Sequence, residues 1–216
     1  MTKLRLDVVI RAGLDLLNEV GVDGLTTRKL AERLGVQQPA LYWHFKNKRA
    51  LLDRLAEAML SENHTYSMPR PGDGWRAFLN GNARSFRRAL LAYRDGARIH
   101  AGTRPSEPQF ETVEAQLSFL CKEGFAPGDA AHALVAVSCY TVGAVLEQQT
   151  AETDGHDRRA GQPASPSPAT PFLAAALQAF DDAGPDAAFE YGLALLVDGL
   201  EKKRDPSSPS GALIQK

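Results

Sequence analysis

The stretch from residue 25 to residue 52 constrains the fold more than any other part of the chain. Its apolar residues recur at helical spacing up to Leu34, and Gly35 follows where a helix often ends in a left-handed backbone. A second, very short helix is predicted over residues 37–44, because Pro39 is tolerated in the first turn of a helix. The pattern therefore predicts two helices joined by a tight turn that contains glycine.

The two predicted helices have distinct inner and outer faces. Thr26 and Thr27 are both suited to cap the first helix. Leu41 and Phe45 stand four residues apart and are predicted to face inward. The second helix of a helix-turn-helix enters the major groove of DNA, so its outward side chains are the candidates for contact. They are Gln37, Gln38, Tyr42, Trp43 and His44.

The charge of this region differs from the charge of the whole chain. Residues 26–49 hold six basic side chains and one acid, a net charge of +5, whereas the whole chain carries −1. A basic head on an acidic body is what attraction to phosphates requires. The alternative is a solvated basic face on an ordinary helical hairpin. The short second helix, the outward glutamines and aromatic residues, and the lysines that follow together favour DNA binding.

The rest of the chain is predicted to be all-α, because it shows no strand-like alternation. We expect residues 1–47 to form a three-helix head and residues 48–67 a connecting helix. Residues 68–204 should form a larger helical body for ligand binding and dimerisation, and residues 205–216 a tail. Within the body, residues 150–171 are rich in proline, glycine and serine and are predicted to be a mobile loop.

Several features bound the setting of the protein. The only cysteines, Cys121 and Cys139, stand in apolar helical stretches and are expected to be small core residues in a reducing cytosol. The first residues lack a secretory leader, and no run reaches the roughly 18 apolar residues of a membrane span. The helix predicted over residues 186–203 is apolar over most of its surface, which is typical of a partner surface.

The head carries the motif T-T-R-K-L-A-x-x-L-G-V-x-x-x-x-L-Y-x-H-F-x-N-K at residues 26–48. Further stretches are ENHT at 62–65, YRDGARIHAGTRP at 93–105 and VGAVLEQQ at 142–149. In these residues the chain resembles the tetracycline repressor family. The resemblance implies a homodimeric transcriptional repressor in the bacterial cytoplasm, at the nucleoid, which binds a palindromic operator of a tetracycline efflux gene. Tetracycline with magnesium would release it, and it would not be an enzyme.

The head offers side chains for reading bases and for holding phosphates. Arg28 suits guanine, Gln38 suits adenine, and the small surfaces of Pro39 and Ala40 suit thymine methyl groups. The residues suited to phosphate are Thr27, Tyr42, Trp43, His44 and Lys48. The resemblance implies the same division. Family members often carry Glu and Thr where this chain has Gln37 and Ala40, which leaves the preferred base at one operator position open.

From the residues alone, His64, His100 and His132 are only candidate ligands, since a lone histidine is usually a packed or surface residue. The resemblance implies more. Magnesium bound as the tetracycline chelate would be held directly by His100, and through water by Thr103 and by Glu147 of the partner subunit. The implied polar contacts to the drug are His64, Asn82 and Gln116, with the turn at Arg104. The implied apolar wall is Phe86, Pro105, Val113, Leu117, Leu134 and Leu177.

Three alternatives remain at this point. One is a repressor of the wider superfamily that senses another apolar ligand without a metal. Another is a metal-dependent hydrolase that uses His64, His100 and Glu147, although the sequence offers no activated nucleophile or close carboxylate pair. A purely structural role in packaging DNA leaves the large second domain without a purpose.

Overall fold

The computed structural model of the chain describes residues 4–101, 103, 107–158 and 170–204. These residues form helices and no β-strand; Phe125 and Arg204 make one isolated bridge. The predicted all-α class is confirmed. The helices are α1 (Leu6–Gly24), α2 (Thr27–Leu34), a 3-10 helix (Gln38–Trp43), α3 (Lys48–Asn63), α4 (Trp75–Leu91), α5 (Gly96–His100), α6 (Glu107–Lys122), α7 (Pro127–Arg158), α8 (Pro171–Leu200) and a 3-10 turn (Glu201–Lys203).

The chain divides by its internal contacts into two compact units. The first combines Met1–Pro71 with Arg84–Gln116, and the second combines Gly72–Ala83 with Leu117–Lys216. This division differs from the predicted one, which followed chain order, because α4 contributes its first half to one unit and its second half to the other. The predicted boundary at residue 68 stays a prediction.

The first unit is built on α1 and α3. α1 packs on α2 and α3, and α3 packs on α5. The largest fully buried side chains of these four helices are all apolar: Leu14, Leu17, Leu30, Leu51, Leu55, Met59 and Ile99. The close approach of α1 to α3 depends on Gly13, where an added Cβ would lie 2.9 Å from Leu55 Cδ2. One apolar core therefore joins the head to the helix that carries His100.

The second unit is held by aromatic pairs. Trp75 meets the edge of Phe125, with ring centroids 5.2 Å apart, and Tyr140 stacks on Phe189 at 5.5 Å. The Tyr140 hydroxyl donates to the Phe189 carbonyl at 2.9 Å, over Gly192, which leaves room for the ring. The two contacts of Tyr140 join α7 to α8. At the start of α4, Arg76 pairs with Asp198 at 2.7 Å.

α8 breaks where the sequence places a glycine and a proline. Gly184 has a left-handed φ of 72° with a ψ of 175°, so the helical run changes direction before Pro185, as predicted. On α8 this chain leaves large apolar side chains uncovered, and Phe172 is 90% exposed. In α7, Pro127–Glu152 is long and apolar enough to cross a membrane by those two criteria, which core helices of soluble proteins also meet.

Two predictions about the second unit are wrong. α7 does not end at Gln149 but continues to Arg158, so the predicted loop does not begin at residue 150. Side chains support this extension: Gln148 donates to Glu152 at 3.0 Å, one helical turn away. Residues 159–169 of that predicted loop lie outside the described residues. Cys139 is exposed on α7, not a core residue, and Cys121 is only half-buried.

Candidate functional site

The turn between α2 and the following helix has the local structure that the sequence predicts. The Thr26 side chain accepts a hydrogen bond from the Lys29 amide at 3.2 Å and so caps α2. Gly35 ends α2 with a left-handed φ of 64°. Its amide and the next one return to carbonyls in the last turn of α2, which fixes the direction in which the chain leaves.

The helix after this turn, Gln38–Trp43, is here called the recognition segment. It is helical as predicted but has 3-10 geometry, in which short runs close their hydrogen bonds within four residues. Leu41 and Phe45 are buried, as predicted, and anchor the segment on the head. Trp43 is 90% exposed and Tyr42 52% exposed. Because Leu41 and Phe45 anchor the backbone of the segment on the head, Tyr42 and Trp43 are held on its exposed face.

The predicted base reader Gln38 is oriented by its neighbours. Its side-chain amide nitrogen donates to the Thr27 hydroxyl at 2.8 Å and to the Tyr42 hydroxyl at 3.3 Å. Gln38 is therefore only half-exposed, whereas the sequence placed it largely outside. Both of its partners are themselves predicted phosphate contacts. These hydrogen bonds hold the three side chains in a fixed arrangement relative to one another.

The other predicted DNA contacts also have partners within the head. The Arg28 guanidinium pairs with Glu32 at 3.1 Å, and both side chains are largely exposed. The Lys48 ammonium donates to the Val22 carbonyl at 3.0 Å. The His44 ring, half-buried rather than outside, donates from Nε2 to the Leu4 carbonyl at 3.1 Å. Of the remaining candidates, Gln37 and Pro39 are exposed and Ala40 is half-buried.

A second group of predicted residues lies together in the first unit, around the buried ring of Phe86. His64 lies 5.6 Å from Phe86 between ring centroids, and His100 meets the edge of the same ring at 4.9 Å. His64 follows the last residue of α3, Phe86 is in α4 and His100 ends α5. Three helices thus bring two half-buried imidazoles to one aromatic side chain.

Burial favours the neutral form of both imidazoles. Burial lowers the pKa of His64 to about 4, and the positive charges of Arg88 and of a protonated His100 would lower it further. Burial also lowers the pKa of His100. A neutral imidazole keeps a lone pair on one ring nitrogen, which a metal ion requires of a histidine ligand.

The other predicted ligand residues of the first unit are placed as follows. The Thr103 hydroxyl donates to the His100 carbonyl at 2.8 Å and lies 3.5 Å from His100 Nδ1. The Gln116 side chain donates to the Ser67 carbonyl at 2.6 Å. Val113 is half-buried in α6. Thr103 and His100 are thus brought together, as the resemblance implies.

The remaining predicted ligand residues belong to the second unit or lie outside the described residues. Asn82 stands four residues before Phe86 on α4, which is one helical turn. Leu117 and Leu134 are half-buried, and Leu177 and Glu147 are exposed. Arg104 and Pro105 lie outside the described residues.

The donor set around His100 fits a metal that another molecule already holds. Among the described residues, no group of three or more His, Cys, Asp or Glu side chains stands close enough to hold a metal ion. His100 offers one neutral nitrogen, and Thr103 one hydroxyl. Magnesium prefers oxygen ligands and retains water, so two protein groups suffice where the bound molecule supplies oxygens.

Hydrogen bonds join the beginning of α5 to the end of α1. Asp95 precedes α5 with a left-handed φ of 58°, and its carboxylate accepts from the Val22 amide at 2.8 Å. Arg98 pairs with Asp23 at 2.9 Å. This junction is not among the features predicted from sequence, although Asp-Gly at residue 95 is a turn signal that predicts a left-handed residue. His100 therefore ends a helix that is bonded directly to the head.

The comparisons with known proteins agree with these observations. The family described as "Bacterial regulatory proteins, tetR family" matches residues 9–55, and "Tetracyclin repressor-like, C-terminal domain" matches residues 68–204. The chain is 70% identical to the tetracycline repressor protein class A from transposon 1721 of Escherichia coli over 94% of both chains. It is 64% identical to the class C repressor of Escherichia coli over 94% of both chains. A structure of TetR of class A with 5a,6-anhydrotetracycline and magnesium is 61% identical, covers 93% of this chain and 100% of its own, and superposes with a TM-score of 0.76.

Proposed function

The chain belongs to the tetracycline repressor family, and from that premise we propose that it is a transcriptional repressor which tetracycline and magnesium release from its operator. The observation that carries the proposal is the neutral imidazole pair of His64 and His100 around Phe86. This pair lies in the same compact unit as the recognition segment. The relatives that support the proposal are repressors and not enzymes.

On the DNA side, we propose that the protein binds as a symmetric homodimer. A single small head binds weakly, and a palindromic operator matches the twofold symmetry of a dimer, with half-sites about 34–36 Å apart. Arg28 and Gln38 would read bases, while Thr27, Tyr42, Trp43 and Lys48 would hold phosphates. The exposed aromatic residues of the recognition segment support this assignment.

On the ligand side, His100 would hold the metal directly, and Thr103 and Glu147 of the partner subunit would hold it through water. When bound, magnesium supplies a divalent charge that ties the drug's oxygens to these groups. His64, Asn82 and Gln116 are proposed to hydrogen-bond the drug. The apolar contacts and the turn at Arg104 stay as the resemblance predicts them.

The coupling between ligand and DNA is proposed to pass through α5. Binding at His100 and Thr103 would favour a changed position of α5, which packs on α3 and is hydrogen-bonded through Asp95 to Val22. Both α3 and the end of α1 carry the head. Release then requires that the ligand bind the DNA-incompatible position of the heads more tightly than the compatible one.

We place the protein in the bacterial cytoplasm, at the nucleoid.

Operator release tests the proposal. The protein is bound to a labelled palindromic tetracycline operator at a stated salt concentration, and tetracycline is added with magnesium or with a chelator. We expect release only when drug and magnesium are both present. His100→Ala should keep operator binding and lose most of the drug response, whereas His132→Ala, a change at an exposed histidine, should respond as the unaltered protein does.

Each other outcome has a distinct meaning. If the drug does not release the protein from the operator, the protein would still be a repressor, but its ligand would belong to another class of molecule. Release by the drug without magnesium would show that the drug acts without the metal. Loss of operator binding in His100→Ala would contradict the division between head and ligand site. No operator binding by the unaltered protein would point first to Gln37 and Ala40.

A further inference from the structure

In the first unit, the buried hydroxyl of Ser85 contacts His64, the histidine that is proposed to bind the drug and not the metal. Ser85 lies in the middle of α4 and is completely buried. Its hydroxyl accepts a hydrogen bond from the Tyr66 amide at 3.0 Å and lies 3.1 Å from Nδ1 of His64. A buried hydroxyl destabilises a protein unless it is hydrogen-bonded, so these two contacts define what Ser85 contributes.

The hydrogens of this pair can be assigned by counting them. A neutral imidazole has one N–H and one lone pair, and a hydroxyl has one hydrogen to donate. The Tyr66 amide donates to one lone pair of the hydroxyl oxygen, and a second lone pair could still accept from an Nδ1–H. In that arrangement the buried hydroxyl hydrogen would lose Nδ1 as its acceptor, so donation from Ser85 to Nδ1 is the arrangement that satisfies both groups. A serine that donates to Nδ1 fills the lone pair there, and the ring hydrogen is then on Nε2. The partner of one ring nitrogen thus decides the state of the other.

We propose that Ser85 is a positioning residue that fixes His64 in the form with hydrogen on Nε2 and so makes it a hydrogen-bond donor to an oxygen of the ligand. The inference rests on the proposed function, because it takes His64 as a ligand contact. The ligand chemistry that fits is a carbonyl, hydroxyl or enolate oxygen, since such an oxygen accepts from Nε2–H.

The geometry around His64 supports a fixed ring. Phe86 packs against the imidazole at 5.6 Å with an interplanar angle of 47°, and the Ser85 hydroxyl holds its Nδ1 edge. The same hydroxyl holds the backbone two residues further on, at Tyr66. Turning the ring over would break the contact with Ser85 and leave the hydroxyl with one partner fewer. Burial also keeps the ring neutral, because the pKa of His64 is lowered to about 4.

Nitrogen NMR on the full-length protein tests the assignment directly. Histidine is labelled with nitrogen-15, and His64 is identified by the signal that His64→Gln removes. At neutral pH we expect His64 to carry its hydrogen on Nε2 alone. In Ser85→Ala we expect both neutral forms and about tenfold weaker binding of tetracycline with magnesium, the effect of one lost hydrogen bond. Operator affinity should change by less than about twofold.

Thr141→Val is the matched control. Thr141 is also completely buried, and its hydroxyl donates to the Val137 carbonyl at 2.8 Å. Its loss removes a buried hydroxyl without touching His64, so both the nitrogen signals and drug affinity should stay unchanged. Ser85→Cys, which keeps a weak donor, should lie between the unaltered protein and Ser85→Ala.

The outcomes separate this inference from the proposed function. A hydrogen on Nδ1 of His64 in the unaltered protein would overturn the inference, and that spectrum is available even if Ser85→Ala fails to fold. Unchanged nitrogen signals in a folded Ser85→Ala protein would overturn it as well. If the Nε2 form is found but His64→Gln leaves drug affinity unchanged, the ligand role of His64 in the proposed function fails instead.

Discussion

Replacing Gly96 with alanine, at the start of α5, should have two opposite effects on the free energy of unfolding. Alanine is a better helix former than glycine by at most about 1 kcal/mol, so propensity alone predicts stabilisation. The structure predicts the opposite. An added Cβ at Gly96 would lie 2.0 Å from the Leu90 carbonyl oxygen and 3.1 Å from the Met59 sulfur. The first distance is far inside van der Waals contact, and its partner is backbone, which cannot rotate away.

The steric effect should therefore win. Inserting a methyl group into a packed core usually destabilises by about 1–3 kcal/mol, and a backbone clash belongs at the upper end of that range. After the gain in propensity is subtracted, we expect the free energy of unfolding to fall by about 2 kcal/mol. Because α5 carries His100, tetracycline binding should weaken as well.

Urea unfolding at one fixed protomer concentration measures the effect. Gly128→Ala is the matched control, since Gly128 is in the first turn of α7 and an added Cβ there meets nothing within 4 Å. The control should be unchanged or more stable, by at most about 1 kcal/mol. If Gly96→Ala were as stable as Gly128→Ala, the steric reasoning about the packing of α5 against Leu90 of α4 and Met59 of α3 would be refuted.

Three further predictions concern charge, pH and the recognition segment. Glu32→Gln should tighten operator binding a few-fold at low salt and less at high salt, because it frees Arg28 from an exposed ion pair; anisotropy titrations giving weaker binding would contradict this. His64 has a pKa of about 4 in the folded state against 6.5 unfolded, so the unfolded state takes up the proton first. The free energy of unfolding, measured with urea, should then fall by about 3 kcal/mol as pH drops from 6.5 to 4. In His64→Asn the free energy of unfolding should depend less on pH over this range. His44→Gln, whose amide can still donate to the Leu4 carbonyl, should keep operator affinity, whereas His44→Ala should lose part of it; equal losses would show that His44 contacts DNA itself.

The parts of the head that could be predicted from sequence depend on near neighbours in the chain. The cap at Thr26, the left-handed Gly35 and the buried pair Leu41 and Phe45 each follow from residues within one or two turns. The orientation of Gln38 could not be predicted, because its partner Thr27 stands eleven residues earlier and on another helix. Periodicity shows which face a side chain occupies but not which polar group it meets there.

The candidate ligand site shows the same limit more strongly. No local pattern distinguishes Ser85 from any other small residue on α4, and its partners His64 and Tyr66 stand 21 and 19 residues earlier in the chain. The resemblance supplied His64 and His100, but not the burial that keeps them neutral. Composition was misleading in one place, because α7 continues to Arg158 through residues whose composition predicts a loop. Within this extension Gln148 donates to Glu152, one helical turn away.

The exposed residues of α8 are explained better by sequence than by the fold of one chain. A helix that is apolar on most of its surface needs more than one set of neighbours. Within one chain, Phe172 is 90% exposed and Phe180 64% exposed. Burying a phenylalanine contributes about 1.5–3 kcal/mol, so a homodimer in which a second copy covered both would gain several kcal/mol per chain. Stability that arises between copies depends on their concentration, which is why Gly96→Ala and its control must be compared at the same protomer concentration.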